Sequence, residues 1–138
     1  MSNDDLFGDE HVKRYRETDG AEGYEWRGTQ CLLLTTIGRK SKQARTMPLI
    51  FGYDGDTPVI VASKGGAPQH PAWYLNLKEN PEVEVQIKGE DFTAIARDAE
   101  GEERSKLWEM MLKEWPDYAD YQTKTDRQIP VVVLDRTA

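Results

Sequence analysis

Short apolar runs separated by Gly- or Pro-containing polar breaks dominate the chain, and most are too short for helices. CLLLTTIG, 31–38, predicts a buried strand, because its apolar run is brief and ends at a glycine. ARTMPLIFGY, 44–53, predicts a second strand, with Pro48 placing it at an edge or bulge, since proline cannot donate to a ladder. Asp54, Gly55 and Asp56 predict a tight hairpin turn into a third strand, PVIVAS, 58–63. Pro71 suits the first turn of a short helix, AWYLNLKEN, that Asn80 and Pro81 stop. VEVQIKG and FTAIARDA alternate apolar and polar around a GED turn, as half-exposed strands do. In GEERSKLWEMMLKEW, 101–115, Leu107, Trp108, Met111, Leu112 and Trp115 form one helical stripe. Glu102 and Glu103 suit the positive end of that helix. IPVVVLD, 129–135, reads as a strand buried on both faces.

Ahead of these elements, Leu6, Phe7, His11, Val12 and Tyr15 predict a helix over 6–17 at irregular spacing, broken by Gly20 and Gly23. Residues 1–5 are polar and expected to be loose. Consecutive strands joined by tight turns favour antiparallel pairing. The fold class expected is therefore mainly β with helices (α+β): a six-stranded antiparallel small barrel or strongly curled sheet. With 138 residues, one domain over 1–138 is expected, comprising an N-terminal helical segment, 1–28, and a core, 29–136.

Charge sharpens this picture. The whole chain carries −7, which argues against a nucleic-acid partner. Yet between Trp26 and Lys78 seven basic residues meet only Asp54 and Asp56, giving +5. The flanks hold the other 11 basic and 23 acidic residues, giving −12. A single cationic site on an otherwise repellent surface is the first functional clue. No apolar run approaches the roughly 20 residues of a membrane-spanning helix. A cytoplasmic protein is expected, with residues 1–28 offering either a cover for a pocket or weak docking at the inner face of the cell membrane. The acids Asp4, Asp5, Asp9 and Glu10 argue against docking on anionic lipid.

Candidate chemistry narrows quickly. The only imidazoles and thiol, His11, His70 and Cys31, have no zinc-ligand spacing, so no metal is expected. Cys31 lies in an apolar strand and reads as inert. No GxSxG elbow surrounds any serine. Three motifs remain. GRKSKQAR, 38–45, gathers four cations at a hairpin tip, suited to phosphate or carboxylate and equally to a solvated turn. ASKGGAPQHPAWYLNL, 62–77, ends a strand at Ser63 and Lys64, then has two glycines that let a ligand approach the backbone, and a helix start. WPDYADYQ, 115–122, spaces Trp115, Tyr118 and Tyr121 on about one helical face with polar neighbours, so partial exposure is expected. None contains an acid–base pair, which a cofactor-dependent redox protein does not need.

Together, GRKSKQARTMPLIF, ASKGGAPQHPAWYLNLKENPEVEVQI and WPDYADYQTKTDRQIPVVVL resemble the deazaflavin-dependent nitroreductase family, the F420-dependent quinone and nitro reductases, over roughly residues 29–136. The resemblance implies a flavin-reductase-like split β-barrel and coenzyme F420, a deazaflavin with a phosphodiester and an oligoglutamate tail. It implies that Arg39, Lys40, Ser41 and Arg45 hold the phosphate and tail, with Lys64 nearby, and that Thr46, Met47, Pro48, Leu49 and Ile50 run along the coenzyme. Val61, Ala62 and Ser63 would add backbone and hydroxyl contacts, and Ala72, Trp73, Tyr74 and Asn76 would follow the glycine loop. Tyr118 and Tyr121 would face the acceptor, with Ser63, Tyr118 and Tyr121 as the catalytic candidates. Three departures stand out: Lys42 occupies a usual glycine position, Ala44 a frequent proline position, and Trp115 a frequent tyrosine position. The implied reaction is hydride transfer from reduced F420 to a quinone, nitro or similar electron-poor acceptor. A flavin mononucleotide oxidoreductase on the same barrel and a non-catalytic deazaflavin carrier are the alternatives. A monomer and a homodimer both remain open.

Overall fold

The structure is a computed structural model and describes residues 5–137; Asp4 and the rest of 1–4 lie outside the described residues. Helix α1 (Gly8–Thr18) leads to a two-residue strand β1 (Glu25–Trp26), then to β2 (Thr29–Ile37), β3 (Ala44–Asp54) and β4 (Thr57–Val61). A 3-10 turn (Lys64–Gly66) and α2 (Ala72–Glu79) connect to β5 (Glu82–Ile87) and β6 (Glu90–Asp98). Helices α3 (Gly101–Glu114) and α4 (Asp117–Thr123) precede β7 (Val131–Arg136). The strands run β2-β3-β4-β7-β6-β5, and β5 pairs back to β2, so the six long strands close into an antiparallel barrel. Strand β1 adds a short hairpin on the outside of β2.

Alternation decides which side chains fill the barrel. Leu32 and Leu34 of β2, Ile60 of β4, and Val132 and Leu134 of β7 point inward with Phe51, Val83 and Val85. Their neighbours Val59, Val61, Val131 and Val133 point outward and pack under Leu107 and Met111 of α3 and Tyr118 of α4. Both faces of β4 and β7 are therefore buried, which is why their apolar runs do not alternate with polar residues. Trp73, Tyr74 and Leu77 of α2 join the interior cluster. The predicted elements hold apart from small shifts at their ends. Pro71 sits one step before α2, in extended conformation, rather than within its first turn.

Strand β3 has two different neighbours along its length. It pairs with β2 from Ala44 to Ile50, but with β4 only from Phe51 to Asp54. Over Ala44–Ile50 one side of β3 thus has no strand partner, and Pro48 falls in this open stretch, as an edge position permits. This gap is the split in the barrel.

Helix α1 is fastened to the barrel by Tyr15, fully buried against Val12 and Leu33. Its hydroxyl donates to the Cys31 carbonyl at 3.0 Å and accepts the Lys88 backbone N–H at 2.9 Å. Burial raises the phenol above its ordinary pKa, so it remains a donor. Replacement of Tyr15 by Phe leaves that amide and carbonyl without this partner, and is expected to cost about 1–3 kcal/mol. A urea unfolding curve measures it; an unchanged midpoint would show that α1 is held by apolar contacts alone.

Candidate functional site

Where β3 and β4 part, a cleft of about 570 Å³ opens. Met47, Pro48, Leu49 and Ile50, on the unpartnered stretch of β3, form one wall. Val61 at the end of β4, then Ser63, Lys64 and Gly65, form the opposite side, with Ala72 and Trp73 at the start of α2. Trp115, Tyr118 and Tyr121 bring α4 and the chain just before it to the same cleft. A second cavity of about 450 Å³ shares Gly8, Met47, Pro48, Ala72 and Trp73 with the first, so the two adjoin. Arg39, Lys40, Ser41, Arg45 and Thr46 line this polar end, together with Asn76.

The cationic end is built by the β2–β3 hairpin tip. Gly38 and Gln43 close it with a 2.8 Å backbone bond, and Lys42 turns the chain at φ 61°. Left-handed backbone favours glycine, so a lysine here holds a conformation that costs it energy. Asn76 is buried, and its Oδ1 accepts both the Arg39 backbone N–H and the Arg39 guanidinium, each at 3.1 Å. Its Nδ2 donates to Thr36 Oγ1 at 3.3 Å. Asn76 therefore anchors α2 to the loop and orients Arg39. Several arginines elsewhere bridge carboxylates, as Arg97 does with Glu103 and Asp135. Among the described residues, Arg39, Lys40 and Arg45 form no salt bridge. Asp9, at the start of α1, is the one carboxylate lining this cavity among the described residues. The arrangement is a cation cluster without paired carboxylates, suited to an external polyanion.

The turn after β4 holds an unusual backbone. Lys64, Gly65 and Gly66 all have positive φ, at 47°, 63° and 85°. Gly65 lines the cleft, and a Cβ on it would meet nothing within 4 Å, so its own side is open space. A Cβ on Gly66 would lie 2.6 Å from the Tyr121 carbonyl oxygen. The two glycines thus do different work: one leaves room in the cleft, the other lets the turn touch α4.

On α4, Tyr118 is more buried than the polar neighbours of its motif suggested, at 4% exposure. It packs at 6.4 Å from Trp108 and 6.1 Å from Tyr121, ring centre to ring centre. Burial pushes its phenol well above the ordinary range, so the group is a proton donor. Tyr121 is half-buried and its hydroxyl accepts the Trp115 indole N–H at 3.3 Å. Cys31 also lines the cleft; burial pushes its thiol up to about 12, which keeps it protonated and unreactive.

The structure gathers the predicted residues with two exceptions. Ala62 points into the barrel interior, and Tyr74 turns away to donate to Asp98 Oδ2 at 2.7 Å; neither residue lines either cavity. Conversely, Phe7, Gly8, His11, Trp26 and Arg27 line the cleft, so the N-terminal segment forms part of its wall. Nothing local in the sequence marks this: Phe7, His11 and Tyr15 share one helical spacing, yet the structure buries His11 and Tyr15 and leaves Phe7 80% exposed. The Trp26 and Trp115 rings then stack, 6.0 Å apart and 28° from parallel. Among the described residues, no helix is long and apolar enough to cross a membrane.

Comparison with known proteins agrees with this geometry. The family model for F420H(2)-dependent quinone reductase matches residues 8–136. An F420H(2)-dependent quinone reductase of Mycobacterium tuberculosis is 42% identical over 130 residues, covering 91% of this chain and 87% of that protein. Among solved structures, an F420-H2 dependent reductase, FDR-A, is 45% identical with a TM-score of 0.71, over 76% of this chain and 93% of that one. A chain described as a domain-swapped dimer is 42% identical with a TM-score of 0.74, over 91% and 95%. The barrel is thus the flavin-reductase-like split barrel, and the chain belongs to the F420H(2)-dependent quinone reductase family.

Proposed function

We propose that this protein reduces a quinone with hydride from reduced coenzyme F420, and that the coenzyme lies along the open stretch of β3. The observation that carries this reading is an apolar cleft adjoining, through shared wall residues, a cation cluster that forms no salt bridges among the described residues. A planar deazaflavin needs the first, and a phosphodiester with a glutamate tail needs the second. The room left at Gly65 fits a close backbone approach. Arg39, Lys40, Ser41 and Arg45 would hold the phosphate and tail, with Lys64 beside the cleft, and Met47 to Ile50 would face the ring. Thr46 and Asn76 would border the tail, and Val61, Ser63, Ala72 and Trp73 would close the slot.

When bound, the reduced coenzyme supplies the hydride. The protein's part is to exclude water, align a flat acceptor and provide a proton. Trp26, Trp115 and Phe7 wall the cleft on the N-terminal side and give an aromatic surface for a planar acceptor. Tyr118 keeps its phenolic proton because burial disfavours the phenolate, and can donate it in a hydrogen bond to the quinone oxygen as negative charge develops there. Ser63 and Tyr121 offer further hydroxyls in the same cleft. Family membership favours the deazaflavin over flavin mononucleotide. The domain-swapped relative supports a homodimer as the assembly to look for.

Replacement of Arg39, Lys40 and Arg45 together by Ala is expected to raise the F420 dissociation constant by about tenfold or more for each charge-assisted hydrogen bond removed. Fluorescence titration should show a larger penalty with longer glutamate tails and at lower salt; an unchanged constant would remove the anion-cradle reading. Replacement of Tyr118 by Phe is expected to lower quinone turnover about 100-fold, with F420 affinity nearly unchanged. Stopped-flow oxidation of reduced F420 by menadione measures this. Undiminished turnover with several quinones would remove Tyr118 as proton donor, and binding without turnover in the native protein would favour a carrier.

A further inference from the structure

Arg127 lies in the loop between α4 and β7 and lines neither cavity. Its guanidinium nevertheless spans the chain that leaves β4. Nε donates to the Ala67 carbonyl at 2.9 Å, Nη1 to the Ala62 carbonyl at 3.1 Å, and Nη2 to the Ser63 carbonyl at 2.7 Å. Nη1 also lies 3.1 Å from His70 Nδ1, which must accept, since a guanidinium only donates. One planar fork therefore holds three carbonyls and a ring nitrogen over residues 62–70, a geometry that lysine cannot reproduce.

The other end of Arg127 belongs to α4. Gln122 Nε2 donates to the Arg127 carbonyl at 2.8 Å, and Gln122 Oε1 accepts the Ile129 N–H at 3.0 Å. Helix α4 carries Tyr118 and Tyr121, and Gly66 packs directly on the Tyr121 carbonyl. The segment so held includes Lys64, Gly65 and Gly66, a left-handed run that costs energy at the lysine and persists only when its surroundings enforce it.

We propose that Arg127 is a positioning residue that pins the Ser63–Ala67 turn to α4, so that the coenzyme side and the acceptor side of the cleft keep one relative geometry. The naming of the two sides rests on the quinone-reductase reading; the pin itself does not. Ser63 is then presented through its own carbonyl and those of its neighbours bonding to Arg127, and a loosened pin would let the turn and the tyrosine helix drift apart.

The test begins on the full chain without coenzyme. The Gly66 and Ala67 amides donate to the Ser63 and Lys64 carbonyls at 2.9 and 3.1 Å, so they should exchange slowly with solvent. In Arg127→Gln their exchange is expected to accelerate about tenfold or more. His70 provides a second readout. Burial and the Arg127 charge hold it below its ordinary pKa, while Asp98, itself paired with Lys78, pulls the other way and the Tyr74 ring lies 4.7 Å off. Its NMR titration should move up in Arg127→Gln, and much less in Arg127→Lys, which keeps the charge without the fork. Arg127→Lys should still show fast exchange at Gly66 and Ala67. Both variants should bind F420 about tenfold more weakly than the native protein and turn over quinone more slowly.

Native exchange rates at Gly66 and Ala67 in Arg127→Gln would overturn the proposal, and Arg127→Lys decides the same point if the Gln variant does not fold. Faster exchange with unchanged F420 affinity and turnover would overturn it as well. Failure of the native protein to bind F420 would instead overturn the coenzyme reading, with the exchange arm still deciding on Arg127.

Discussion

Strand β3 is held by β2 from Ala44 to Ile50 and by β4 only from Phe51 to Asp54. The remaining site features depend on that unequal pairing. A strand paired on both sides throughout would leave no opening between β3 and β4, and so no cleft. A strand unpaired on both sides would not hold its shape, because its backbone groups would lack partners. With one ladder intact and the other ended, Met47 to Ile50 form a rigid wall facing open space. The closing pair β2–β5 and the buried faces of β4 and β7 supply the stiffness behind it.

Electrostatics is arranged on the same hairpin. Its tip extends past the β2–β5 pairing, and cations that form no salt bridge among the described residues are concentrated there, while several others pair at the surface, among them Arg14 with Glu10 and Arg136 with Glu90. Exposed pairs of that kind contribute little to stability. Cations without a carboxylate partner keep their full attraction for a ligand, at the expense of mutual repulsion within the loop. Asn76 limits the disorder this would cause, since it takes two donors of Arg39 and ties the loop to α2. Asp9 adds one opposing charge from α1, so the N-terminal segment touches both the polar and the apolar ends of the site.

The strands and the α3 stripe were legible because burial imposes periodicity on residues that are close in sequence. Leu107 and Met111 face inward because they are four residues apart on one helix. The cation cluster was legible for the same reason of proximity: Arg39, Lys40 and Arg45 share one hairpin. Arg127 was not legible. It lies in the motif WPDYADYQTKTDRQIPVVVL, but nothing there marks its contacts, because its partners Ala62, Ser63, Ala67 and His70 lie 57 to 65 positions away. Those partners are mostly carbonyl oxygens, which every residue carries, so side-chain identity holds no trace of them. Tyr74 was misleading in the opposite way: it sits in a motif rich in site residues, yet helical rotation carries its hydroxyl to Asp98.

The sequence by itself determined the strand and helix order, the cationic character of one hairpin, and the motifs that place the chain in its family, since all of these are local patterns of charge, size and polarity. Only the tertiary structure decided that β3 and β4 pair no further than Phe51, that the N-terminal segment and the Trp26–Trp115 stack wall the cleft, and that one arginine bonds both the turn after β4 and Gln122 of α4. Those features depend on where distant backbone groups meet, and that is set by closure of the whole barrel rather than by any stretch of residues within it.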